Sequence, residues 1–174
     1  MKKRDISGIL IRYLILVLIA LPNLALFYFI FTPLTIYPVH FLLNLLYDVS
    51  VSKNIIQIGD VVIKIIPACV AGSAYYLLTV LSLSMPRINI KKRLSLLLTV
   101  FLVFLIINIL RISLLSAILV SGSPLFDITH KIFWYLGSII FVIAIWFFSV
   151  KAFKIKEIPF YSDLKLLYKK TKLK

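Results

Sequence analysis

A thiol, an imidazole and a guanidinium are the groups in this chain whose types and placement could do chemistry together. Cys69 is the only cysteine. It lies in Ile66-Pro67-Ala68-Cys69-Val70-Ala71-Gly72-Ser73-Ala74-Tyr75-Tyr76, where Pro67 suits the first position of a helix because its missing N–H costs nothing there. A helix starting near Pro67 puts Cys69 in its first turn, where unpaired N–H groups and the positive end of the helix dipole favour the nucleophilic thiolate. Gly72, Ser73 and Tyr76 share its face through the spacing of three and four. A lone cysteine in an apolar segment also serves as ordinary packing, so the case depends on its partners.

Two partners come from later in the chain. Asn108-Ile109-Leu110-Arg111-Ile112 falls inside a long apolar run. Arginine at such a position is expensive enough to face protein or water, where it marks function or pairs with a backbone carbonyl for structure. Asn108 sits three residues before Arg111, on the same helical face. Arg111 precedes Val120 by nine residues, about 13 Å of helix, which predicts a place in one leaflet rather than at the midplane. His130 ends the sequence Phe126-Asp127-Ile128-Thr129-His130 and opens the last apolar run, with Asp127 placed to orient its ring. Together these are the parts of a Cys/His nucleophile pair with a fixed positive charge for an oxyanion.

The elements that must position them belong to a membrane protein. Of 174 residues 62% are hydrophobic and the mean hydropathy is +1.08, well above a soluble domain. The expected fold is an all-α membrane protein, a polytopic bundle of about four transmembrane helices at residues 9–31, 67–85, 94–120 and 131–150. Between the first two, Thr32-Pro33 and Tyr37-Pro38 predict a turn, 39–47 an interfacial helix, and 54–66, β-branched around Gly59-Asp60, a small extracytoplasmic β-hairpin. Residues 1–150 then form a single membrane-embedded catalytic domain and 151–174 a basic cytoplasmic tail, able to lie on an anionic surface.

Charge sets the expected orientation. With both termini inside, the inner segments carry three, four and eight Lys or Arg, against Lys53, Lys64 and Lys131 outside. That asymmetry places Cys69, His130 and the hairpin on the extracytoplasmic side of a multi-pass cell-membrane protein. The same asymmetry makes the net charge of +14 an orientation signal, so no nucleic-acid partner is expected. Arg12, near the inner end of the first span, can snorkel to the headgroups, and Pro22 with Asn23 predicts a kink in the middle of that span. One cysteine excludes an internal disulfide or a multi-cysteine metal site, and no cofactor motif is found, so neither metal nor cofactor is expected. Without a small-residue cleavage site, the first span is expected to be retained. His40 and Asp48 have no helical partner in the pattern, and Ser73 sits among Ala71, Gly72 and Ala74 in a run suited to close helix packing.

Cys69 with Gly72 at an outer helix start, Asn108, Arg111 and Ile112 as Asn-x-x-Arg-Ile in the next helix, and His130 opening the one after resemble the exosortases and archaeosortases. The short length and the run Pro67 to Tyr76 are most similar to a compact archaeosortase of the E type. Many members carry Cys-Ser-Gly or Cys-Thr-Gly, whereas here the glycine stands one place later. The resemblance implies a membrane cysteine transpeptidase with Cys69, Arg111 and His130 as catalytic residues, supported by Asn108, Gly72, Ser73 and Asp127. It implies substrate proteins with a C-terminal motif, transmembrane helix and basic cluster, and an amine acceptor such as a membrane lipid, or water. The alternative is a non-enzymatic four-span transporter or assembly subunit with a structural cysteine.

Overall fold

Seven α-helices and one small sheet make up residues 4–85, 88–155 and 168, which are those described in the computed structural model. The order is α1 (Arg4–Ala20), α2 (Ala25–Asn44), β1 (Val49–Ser52), β2 (Ile55–Ile58), β3 (Val61–Lys64), α3 (Pro67–Val70), α4 (Gly72–Leu83), α5 (Ile90–Val120), α6 (Phe126–Ile132) and α7 (Ser138–Ala152). A π-helical turn, Phe133–Gly137, joins the last two. Helices α2 and α5 are each long and apolar enough to cross a membrane, and α6 with α7, bent by 51°, makes a third if taken as one span. The stretches Gly8–Ala20 and Pro67–Leu83 are apolar but shorter.

Long α5 is the element against which α2, α4 and α7 pack. Its contact with α2 and α4 is aromatic. The buried ring of Tyr75 stacks on Phe31 with centroids 3.6 Å apart and meets the edges of Phe101 and Phe104. Phe27 adds edge contacts to Tyr76 and Phe101. Many other large apolar side chains on these helices are exposed, including Phe29, Leu98, Leu102 and Phe148, as expected where the surroundings are lipid.

Three expectations for the first third of the chain are corrected. The span 9–31 is two helices, because Leu21 to Leu24 leave the helical path and Asn23 and Leu24 both take positive φ. Pro22 and Asn23 favour this break: proline removes a donor, and asparagine tolerates the left-handed region. Thr32-Pro33 and Tyr37-Pro38 do not turn the chain, since both prolines lie inside α2. Apolar helices absorb proline when neighbouring groups re-satisfy the freed carbonyls. Accordingly 39–44 is the end of α2 rather than a separate interfacial helix, and the chain leaves the helix over Leu45 to Tyr47.

The expected hairpin is present as β2–β3 around Gly59-Asp60, with β1 added in an antiparallel meander. Its register puts Val49, Ile56, Ile58 and Ile65 on the buried face and Ser50, Gln57, Val62 and Lys64 on the exposed one. His40, discounted on sequence, ties α2 to the sheet through Nε2 and the Val49 carbonyl at 3.3 Å. The tail beyond 155 lies outside the described residues except for Tyr168, as does most of the charged N-terminus.

Two arginines hold the far end of α4. Its last carbonyls have no helical partner and carry the negative end of the dipole. Arg93, buried at the start of α5, donates from Nη1 to Leu83 and from Nη2 to Met85, both at 2.7 Å. Arg12 of α1 donates to the same two carbonyls at 3.3 and 2.9 Å. Arg12 is therefore a cap, not only a snorkelling charge. Replacing Arg93 by Leu should destabilise the folded chain by about 3 kcal/mol, the scale of charge-assisted bonds lost to buried acceptors. Arg12→Leu should cost less, because Arg93 still serves both carbonyls. Unfolding of the two variants in matched detergent compares them.

Candidate active site

The local fold around Cys69 follows from one residue. Pro67 opens the single turn α3, with Cys69 N–H bonded to the Ile66 carbonyl at 2.8 Å. Ala71 then takes the left-handed conformation, φ 59° and ψ 46°, and α4 restarts at Gly72. An L-residue with a Cβ adopts this region at a cost. The break removes the helical partners that the carbonyls of Cys69 and Val70 would have had.

Those carbonyls are bound from α5. Asn108, 2% exposed, donates from Nδ2 to the Cys69 carbonyl at 3.0 Å and to that of Val70 at 3.5 Å. Arg111 donates from Nη2 to the same Cys69 carbonyl at 3.3 Å. The Asn-x-x-Arg spacing therefore has a direct structural use: one helical face presents two donors to one broken turn. Cys69 itself stays partly exposed with a free thiol.

Beside it lies a cavity of about 240 Å³, whose lining brings together Cys69, Arg111 and His130. The rest of the wall comes from residues 63–66 and Ala68, from Ile112, Leu115, Ser116 and Leu119 of α5, and from Phe126, Phe133 and Trp134. It is largely apolar, so charges within it are poorly screened by water. The His130 ring lies between an aromatic of its own helix and one of the π-helical turn that follows. Phe126 stacks on it with centroids 5.4 Å apart and 8° between planes, and Trp134 presents an angled ring at 5.8 Å. The π-helical turn and the 51° bend separate this segment, which lines the cavity, from α7, which does not.

The supporting residues divide. Asn108 is at the site, through the carbonyls just described. Asp127 is exposed and, among the described residues, makes no hydrogen bond or ion pair with His130. The aromatic sandwich orients that ring instead. Ser73 is exposed and outside the cavity lining. Gly72 is buried against α2, where an added Cβ would meet Tyr28 ring atoms at 2.7 and 2.8 Å. Gly72 therefore serves a close helix contact, while the turn itself is made by Ala71.

Sequence reasoning missed Ser116, Lys64 and the aromatics. The 126, 130, 134 spacing of Phe, His and Trp is a one-face stripe that could have revealed the sandwich. Lys64 and Ser116 carried no comparable signal. Compared with models of known families, with curated proteins and with solved structures, the chain matches none. No group of three or more metal-ligating side chains is found among the described residues.

The Gly72 contact gives a packing prediction. Gly72→Ala should destabilise the chain by about 1–3 kcal/mol, as overpacking does. Tyr28→Ala in the same chain should recover most of that loss. Thermal unfolding of the two single variants and the double variant measures the coupling.

Proposed function

We propose that this chain is an archaeosortase- or exosortase-like sorting enzyme, which cleaves a C-terminal signal through a cysteine acyl-enzyme and transfers the protein to an amine acceptor. The observation that supports it best is that Cys69, Arg111 and His130, drawn from three separate helices, line one cavity. The bundle would cross the membrane four times, as α1 continued by α2, α3–α4, α5, and α6–α7. Both termini would be cytoplasmic and the cavity extracytoplasmic, in keeping with the fifteen-to-three distribution of basic residues.

The chemistry follows from the groups present. His130 takes the thiol proton, and the Cys69 sulfur attacks the scissile carbonyl to form a C–S bond. Negative charge developing on that oxygen is stabilised by the Arg111 guanidinium in weakly screened surroundings. The C–N bond then breaks as His130 returns its proton to the leaving amine. An incoming amine, deprotonated by His130, attacks the thioester and releases the thiol; a lipid headgroup supplies one at this depth. Water in its place gives a free carboxylate.

One observation favours the non-enzymatic alternative: Arg111 spends a donor on a backbone carbonyl, as a structural arginine does. Substitution separates the two. In cells expressing a protein that ends in a motif, an apolar span and a basic cluster, Cys69→Ala and Cys69→Ser should both leave that protein full length. Arg111→Lys should lower processing by two orders of magnitude or more, since an ammonium does not replace a planar fork. Normal processing by either cysteine variant would exclude the covalent route, and full turnover by Arg111→Ala would remove the guanidinium from it.

A further inference from the structure

Sheet order β1-β2-β3 leaves one edge of β3 unpaired. The two-residue turn and the Ile65 N–H bond to the Asn54 carbonyl, at 2.8 Å, fix which residues pair across β2–β3. Val61, Ile63 and Ile65 direct their main-chain groups toward β2 and Asn54. By alternation, Val62 and Lys64 direct theirs away from it. Among the described residues no hydrogen bond reaches those outward groups.

This open edge faces the catalytic cavity. Residues 63 to 66 all line it, and Ile66 continues the extended backbone at φ −90° and ψ 163°. Successive residues of an extended strand point to opposite faces. A cavity touched by four in a row therefore meets the strand along its edge, and the other edge is filled by β2. Cys69 belongs to the same wall, with its N–H on the Ile66 carbonyl. Bare main-chain donors and acceptors beside apolar surroundings call for a partner.

We infer that this edge is the substrate-binding strand: an extended segment of the polypeptide to be cleaved pairs with Val62 and Lys64 as a fourth strand and lays its scissile carbonyl beside Cys69. The inference rests on the cysteine-nucleophile reading above. Main-chain bonds would supply affinity without regard to sequence, and alternate side chains of the segment would meet the apolar wall of Leu115, Leu119, Phe133 and Trp134, which supplies selectivity.

Strand pairing has a signature that general hydrophobic binding lacks, a period of two. The probe is an acetylated Val/Thr pentapeptide chloromethyl ketone, with chloroacetamide as the small comparison reagent; in both, the Cys69 sulfur displaces chloride. On the full chain in lipid nanodiscs, the peptide reagent should label Cys69 at least tenfold faster than chloroacetamide. N-methylation at alternate peptide positions should abolish that advantage, and methylation at the intervening positions should leave it. Lys64→Ala, which deletes the same side chain but keeps the N–H, is the reference for Lys64→Pro, whose missing outward N–H an edge strand tolerates. Against that reference Lys64→Pro should reduce the peptide reagent's advantage over chloroacetamide by about tenfold.

Rapid labelling with no alternation, or with an advantage that survives Lys64→Pro, would overturn the edge assignment and leave the thiol reading standing. A Cys69 inert to both reagents would overturn the thiol reading and the inference with it.

Discussion

A single left-handed residue, Ala71, and the two α5 side chains that answer it organise the site. In an apolar medium a carbonyl without a donor is expensive, so a broken helix is stable only where its loose groups are met. Asn108 and Arg111 meet them, and in doing so they fix the turn that carries Cys69. The cost of the break and the placement of the thiol are one constraint.

The other end of the same segment is held by the same helix. Arg93 binds the carbonyls of Leu83, which ends α4, and of Met85 just beyond it, and Asn108 and Arg111 bind the carbonyls ahead of that helix. Eighteen residues of α5 separate Arg93 from Arg111, about 27 Å of helix. Helix α5 therefore grips α3–α4 at both ends, with the Tyr75, Phe101 and Phe104 cluster between. Helix α6 and the π-helical turn after it supply Phe126, His130, Phe133 and Trp134 to the cavity wall.

The site residues were more legible in the sequence than the path of the chain between them. Cys69, Arg111 and His130 stand out because each is costly or rare in an apolar segment, and the hairpin stands out because β-branched residues flank Gly59-Asp60. The proline rules misled around Pro33 and Pro38, because they describe helices in water, whereas an apolar helix packed on neighbours carries proline inside it. The break after Ala20 was legible only as a kink at Pro22-Asn23, because the apolar runs on either side are together long enough to read as one span. Ala71 gave no sign, since alanine is an unusual choice for positive φ. Arg12 read as a snorkelling charge and Arg93 as a topology charge, because a cap depends on where a distant helix ends.

Alkylation of Cys69 in intact cells with a charged, membrane-impermeant maleimide asks whether sulfur and imidazole share one cavity open to the exterior. Labelling from outside is expected, slowed severalfold when His130 is replaced by Phe in an equally folded chain. Labelling only after the inner face is exposed, or a rate indifferent to His130, would contradict it.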